Sequence, residues 1–242
     1  MAVLCSPPAH ADGLADLKAA LNRLQGSAPV KGQLDISLRR RQGDGAEAED
    51  TQTQLSLTLE DGPRGLQVLF GRELLARIET EQRASAEDPK AKTPTLNAVN
   101  ELQLNDLKRV VAPAATLARS IDSARFKAEK AEDWNGKPAR LLSFEMQLEK
   151  LPERQRKYVR SFEAGFDVWI AADGTPLASR MRQKVSGRAF VVVSFESSAD
   201  EDRTYGVVGD RLVMLRHETR TTASGAGEKD DRKLSTSFQP RS

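Results

Sequence analysis

His217 is the residue best suited to acid–base chemistry near neutral pH, and it stands between Arg216 and Glu218 on a predicted strand. A catalytic histidine needs a nucleophile and an orienting group at hydrogen-bond distance. The sequence has none of the spacings that mark phosphate loops, nucleophile elbows, S-x-x-K pairs or H-E-x-x-H zinc helices. We therefore expect a non-enzymatic protein in which His217 is a surface side chain or one satisfied by a neighbour, with an enzyme of unfamiliar type as a further alternative.

Three oxygen-bearing side chains, Asp200, Asp202 and Thr204, alternate in the manner of the first ligands of a calcium loop. The loop pattern then fails, because Tyr205 stands where glycine must turn the chain and Arg211 where a bidentate Glu belongs. We predict a surface turn between strands at these residues. No metal and no cofactor is expected.

The charge balance is nearly neutral, with Lys+Arg 37 against Asp+Glu 35 and a net charge of +2. Such a chain lacks the overall field that would hold nucleic acid, so no nucleic-acid partner is expected. Cys5 is the only cysteine, which excludes an intramolecular disulfide and a multi-thiolate zinc site. No apolar run approaches the roughly 18 residues that a transmembrane segment needs, so none is predicted.

One basic cluster stands out, in the segment KLPERQRKYVR from Lys150 to Arg160. Its functional interpretation is contact with anionic lipid headgroups or with an acidic partner in the cell envelope. The plainer alternative is a solvated loop or short helix between two strands. The candidate contact residues are Arg154, Arg156, Lys157 and Arg160.

The first residues, 1–11, end in Ala9-His10-Ala11, a small-x-small pattern of the type that signal peptidase cuts. We interpret them as a residual signal peptide and expect export to the periplasm of a Gram-negative type envelope. A disordered leader is the alternative. The remainder, 12–242, is predicted to form a single domain.

Hydrophobic periodicity divides the first half of this domain into three parts. Leucines at three- and four-residue steps after Asp12 predict an amphipathic helix. Alternation with period two then predicts strands, the first around Leu34 and Ile36, followed by others around Leu57 and Val68. From about 71–121 the pattern is helical, which we interpret as an insertion into the sheet.

The second half is predicted to be a series of antiparallel hairpins. The dipeptides Asn135-Gly136, Asp173-Gly174 and Ser186-Gly187 are typical of turns between alternating stretches. The apolar run at 189–195 predicts a central strand, and the Gly-rich stretch at 224–231 predicts a loop. The fold class is therefore α+β, a curved antiparallel sheet or incomplete barrel with helices packed on its concave side.

The order of these elements resembles that of the periplasmic outer-membrane lipoprotein-carrier (LolA/LolB-like) superfamily. The resemblance is carried by VKGQLDISL at 30–38, by WNGKPARLLSF at 134–144 and by FDVWIAADGTPLASRM at 166–181. It implies an incomplete antiparallel barrel, closed on its open side by helices, whose hollow takes acyl chains. The implied partner is a lipid or an acylated protein.

Two functions from different classes remain open on the sequence alone. The first is a non-enzymatic binder of a lipid, a lipoprotein acyl chain or another apolar ligand. The second is an envelope scaffold or interaction module with a filled core and no ligand. On the first hypothesis the inward-facing residues line the hollow: Leu34, Ile36, Leu57, Val68, Phe144, Met146, Val168, Ile170 and Met181.

Overall fold

The computed structural model describes residues 12–45, 48–150, 153–189 and 193–241, so the proposed leader at 1–11 lies outside the described residues. The helices are α1 (Gly13–Arg23), α2 (Arg72–Glu87), α3 (Pro94–Asn100), α4 (Leu104–Val111), α5 (Ala114–Ser123) and α6 (Glu153–Arg156). The strands are β1 (Val30–Gln42), β2 (Glu49–Gly62), β3 (Gly65–Phe70), β4 (Arg125–Trp134), β5 (Lys137–Glu145), β6 (Val159–Ile170), β7 (Pro176–Ala189), β8 (Val193–Val208), β9 (Arg211–Gly225) and β10 (Glu228–Arg241).

The strands form one antiparallel sheet of ten in the order β3-β2-β1-β10-β9-β8-β7-β6-β5-β4. The last strand, β10, pairs with β1 and so joins the two halves of the chain. The outer strands β3 and β4 do not pair with each other, so the sheet is curved but open. The predicted fold class, α+β with an open curved antiparallel sheet and helices, is confirmed.

Binary patterning explains the strands of the first half. On β1, Leu34 and Ile36 are buried while the intervening Asp35 is only half-buried. Because side chains alternate between faces of a strand, one face of β1 packs inward and the other meets solvent. The register places Leu34 opposite Leu57 of β2 and opposite Phe238 of β10.

Two of the predicted turns are present. Asn135 and Gly136 both have positive φ, 50° and 74°, and connect β4 to β5 as an Asn-Gly turn should. Gly174, with φ of 82°, lies in the turn between β6 and β7.

The prediction of a turn at Ser186-Gly187 is wrong. Both residues lie within β7, where Gly187 pairs with Phe195 of β8. The apolar run 189–195 is therefore not one central strand, since it contains the end of β7 and the start of β8, with 190–192 outside the described residues. The turn preference of Ser-Gly does not end the strand here, because β7 continues to pair with β8 through these two residues.

Two predicted loops are also strand. Asp200, Asp202 and Thr204 lie in the middle of β8, hydrogen-bonded between β7 and β9, rather than in a surface turn. The Gly-rich stretch at 224–231 is mostly strand as well, because β9 and β10 extend to a tight turn at Ala226-Gly227, where φ is 54° and 83°.

The helices cover the apolar face of the sheet. Helix α1 begins at the Asp12 cap, whose side chain accepts a hydrogen bond from the Leu14 N–H, and buries Leu17 and Leu21 completely. It packs against α5, while α3 contacts β2 and α4 contacts β9. The predicted helical segment at about 71–121 corresponds to α2 to α5, and it supplies most of this cover.

A small aromatic cluster lies on the opposite face of the sheet. Trp169 packs there against Trp134, with ring centroids 4.8 Å apart, and its indole N–H donates to Glu132. This agrees with the alternation on β6, which puts Trp169 on the other face from Val168 and Ile170.

Candidate functional site

A cavity of about 560 Å³ lies between the inner face of the sheet and helices α3 to α5. One wall comes from β1 and β2, through Leu34, Ile36 and Leu55. The facing wall comes from β6 and β7, through Phe166 and Met181. The helices add an apolar roof: Leu102, Leu107, Val110 and Leu117.

Four of the predicted binding residues line this cavity: Leu34, Ile36, Met146 and Met181. The other five lie elsewhere in or against the packed core: Leu57, Val68, Phe144, Val168 and Ile170. The reason is geometric, since helix α1 and the stacked rings of Phe144 and Phe166, 4.6 Å apart, fill that part of the hollow. All nine residues thus belong to or pack against one core, and four of them also face the cavity.

The floor of the cavity is polar, which the apolar walls do not suggest. One row of paired residues runs from Leu38 of β1 through Leu234, Thr219 and Glu201 to Met181 of β7. The next row toward α1 contains, in the same order, Ile36, Thr236, His217, Arg203 and Ser179. We call the residues Ser179, Glu201, Arg203, His217, Thr219, Thr221 and Thr236 the polar stripe; all of them line the cavity.

His217 lies inside the cavity, which corrects the expectation of a surface position while agreeing with that of a satisfied side chain. Its Nε2 is 2.7 Å from the Thr219 hydroxyl and 3.7 Å from a carboxylate oxygen of Glu201. Burial, together with the nearby charges of Arg203 and Arg109, lowers the pKa of His217 to about 4, so the ring is neutral at pH 7.

The contacts of His217 also show whether its ring could activate Thr219 as a nucleophile. In a hydrolase triad the nucleophile and the carboxylate contact opposite nitrogens of the imidazole. Here Thr219 and Glu201 both lie nearest to Nε2. Because the carboxylate does not orient the ring through Nδ1, and because the lowered pKa makes His217 a weak base, this arrangement does not activate Thr219.

A second pair of buried polar side chains lies at the β7 end of the polar stripe. The hydroxyls of Ser179 and Tyr205 are 2.8 Å apart, and both side chains are almost fully buried. Burial raises the pKa of Tyr205, so its phenol stays protonated and can donate a hydrogen bond.

The sequence reasoning missed the polar stripe, although a signal was present. Strands β8 and β9 carry polar residues at both even and odd positions, as in EDRT at 201–204 and RHET at 216–219. A strand at the centre of a sheet that is polar on both faces cannot pack into a dry core at low cost. That pattern indicates a cavity, whereas the first of these stretches suggested a surface turn and the second an ordinary strand.

The basic segment lies away from the cavity, at the start of β6. The side chain of Arg154 is outside the described residues, and Arg160 is exposed. Lys157 lies over the ring of its neighbour Tyr158, 4.7 Å from the centroid. Arg156 is half-buried, with its Nε lacking a hydrogen-bond partner among the described residues. Contact with anionic headgroups through these residues stays a prediction.

A larger concavity, of about 750 Å³, lies on the outer face where the long hairpins end. Its lining mixes charges of both signs, including Arg41, Lys184, Glu196 and Asp231. Because nearly all of its lining residues are polar or charged, we place the candidate site in the inner cavity despite its smaller volume.

Within the described ranges, no group of three or more His, Cys, Asp or Glu side chains is placed to hold a metal ion. Likewise, none of the helices described is both long and apolar enough to cross a membrane. Comparison of the chain with family models, with curated proteins and with solved structures finds no match. The resemblance to lipoprotein carriers therefore stays a prediction.

Proposed function

We propose that this protein binds a lipid, a lipoprotein acyl chain or another apolar ligand in the hollow of its open sheet, without catalysing a reaction on it. The observation that carries this proposal is the inner cavity with its two apolar walls. Its volume of about 560 Å³ falls within the roughly 300 to 1,000 Å³ typical of small-molecule sites.

The composition of the cavity walls supports an apolar guest of variable shape. Met146, Met181 and Met214 all line the cavity. Methionine is unbranched and polarizable, so it adapts to ligands that differ in chain length or bend. Desolvating such a wall favours binding by roughly 25 cal/mol per Å² of apolar surface, with no need for a charged anchor.

We also propose where in the cell the protein works and where its ligand comes from. The resemblance to LolA/LolB-like carriers and the small-x-small pattern at 9–11 together support a periplasmic protein whose ligand comes from a membrane lipid or an acylated protein. The competing proposal is an envelope scaffold. The observation that favours it is the dense packing of Leu57, Val168 and Ile170 in a continuous core.

Filling the cavity tests the proposal. Met181→Trp places a large ring in the space that a ligand would occupy, so we expect it to weaken binding of the uncharged dye Nile red by about tenfold or more. Arg182→Trp is the matched control, because Arg182 is the next residue of β7 and its side chain is 69% exposed.

The measurement is a fluorescence titration, with thermal unfolding to show that both variants fold. If the wild-type protein fails to bind the dye, or if Met181→Trp binds it as tightly as the control does, the scaffold proposal is favoured instead.

A further inference from the structure

The charged side chains that line the cavity are neutralised locally. Arg203 forms an ion pair with Glu201, and Arg109 with Asp106. Toward the rim, Arg232 lies 3.0 Å from Glu101. Arg180 also borders the cavity, but its guanidinium lies on the opposite face of the sheet, over the Trp169 ring and 2.6 Å from a carboxylate oxygen of Asp202.

These ion pairs differ in how much of their side chains is exposed to solvent. Glu201 and Arg203 are the innermost, with side chains only 18% and 25% exposed. The Arg232–Glu101 pair is half-exposed, at 45% for each side chain. The cavity is therefore lined by an inner ion pair within the polar stripe, beside His217, and by a second ion pair at the solvent-facing rim, outside the stripe.

A ligand head that enters this cavity loses its hydration. A head with a net charge would then need an oppositely charged partner, and each arginine of the lining already has a carboxylate. A head without formal charges needs only hydrogen bonds, and each charge of a zwitterionic head can lie beside the oppositely charged member of an ion pair such as Arg203–Glu201. Thr221 and Thr236 present hydroxyl groups at the cavity wall for that purpose.

We propose that the ligand is an amphiphile, an acyl chain joined to a polar head of zero net charge, whose chain lies between the apolar walls and whose head lies along the polar stripe. This inference rests on the proposed function and adds the ligand class to it. A membrane lipid with an uncharged or zwitterionic head and the acyl group of a modified protein share this chemistry.

The test uses probes with matched chains and different heads. Monolauroylglycerol, lauroyl lysophosphatidylethanolamine and an uncharged lauroylated peptide amide have no net charge, whereas laurate is anionic and dodecyltrimethylammonium is cationic. Each is titrated, below its micelle concentration, into the full chain loaded with Nile red. We expect the zero-charge probes to displace the dye at concentrations about tenfold lower than the charged ones do. Preference for the glycerol-based probes or for the peptide amide distinguishes a lipid from an acylated protein as the source.

Charge variants provide the sharper comparison. Glu201→Gln leaves Arg203 without its carboxylate, so we expect the affinity for laurate to rise about tenfold relative to monolauroylglycerol. Asp200→Asn is the matched control on the outer face of the same strand, where Asp200 lies 3.9 Å from Arg182, and it leaves the preference unchanged. If Glu201→Gln does not fold, Glu101→Gln at the rim is used in its place and is expected to act in the same direction.

The outcomes separate the two proposals. Tight dye binding with laurate or the cationic probe as effective as monolauroylglycerol overturns the zero-charge head while leaving the proposed function intact. Failure of the dye and of every probe to bind overturns both. An unchanged preference in the charge variant contradicts the assignment of the head to the polar stripe.

Discussion

His217 shows how a single inward-facing polar residue changes the behaviour of the sheet. Its ring is mostly buried and accepts or donates one hydrogen bond, with Thr219. The groups around it are Glu201 and Arg203 on β8 and Asp106 and Arg109 on α4. Since folding lowers the pKa of His217, the folded state disfavours the protonated ring.

The lowered pKa of His217 makes the free energy of unfolding depend on pH, and proton linkage gives the sign of that dependence. Between the unfolded pKa of about 6.5 and the folded pKa of about 4, the unfolded state binds more protons, so stability falls as the pH falls through this range. We expect His217 to account for a loss of about 2 kcal/mol between pH 7 and pH 5. Urea unfolding at both pH values measures it, and His217→Gln should lose correspondingly less. An equal loss in the variant would show that His217 is not buried as described.

At the scale of elements, the turn between β6 and β7 holds helix α1 in place. Asp173 accepts hydrogen bonds from the N–H and hydroxyl of Thr175 and forms an ion pair with Arg23 of α1. Gly174 packs so closely on the helix that an added Cβ would lie 2.3 Å from the carbonyl oxygen of Asp16. Docking of α1 therefore depends on glycine at this position.

Two glycine substitutions separate backbone strain from contact with the helix. Gly174→Ala imposes a positive φ of 82° on alanine and also a clash with α1, so we expect a loss of roughly 2 to 4 kcal/mol. Gly136→Ala imposes a similar φ of 74° in open space, and its expected cost is about 1 kcal/mol. Urea unfolding compares the two. Equal losses would indicate that the turn does not abut α1.

Whether the sequence predicts a strand or a turn correctly depends on the physical origin of the pattern that marks it. Period-two alternation identified β1 and β2 because Leu34 and Leu57 face the core and their neighbours face water. It failed on β8, where Glu201 and Asp202 lie on opposite faces but are both acidic, so no alternation is visible. The Ser186-Gly187 dipeptide predicted a turn wrongly, because the pairing of β7 with β8 continues past it.

At the scale of the whole molecule, the positions of the helices decide which inward-facing side chains line the cavity. Leu34 and Leu57 pair directly in the sheet and both belong to the core, yet only Leu34 also lines the cavity. Nothing in the local sequence separates them, because the difference arises from where α1 and the helices α3 to α5 pack. The sequence could therefore predict the inward-facing set but not its division.

An open ten-stranded sheet with helices on one face leaves room that a closed core would not. The walls are apolar, the floor is polar and locally neutral, and the roof consists of short helices that contact the sheet through a few side chains. These features are the ones we expect of a cavity that holds the proposed amphiphile. The proposed function therefore depends on occupancy of this cavity.

Native mass spectrometry of the protein purified from its own host without detergent measures that occupancy directly. We expect a stoichiometric adduct, released by organic solvent and identified in the extract as an acyl-chain amphiphile, which is lost in Met181→Trp but kept in Arg182→Trp. A protein that carries no such adduct, and that acquires none when mixed with a lipid extract of the host, would contradict the proposed function.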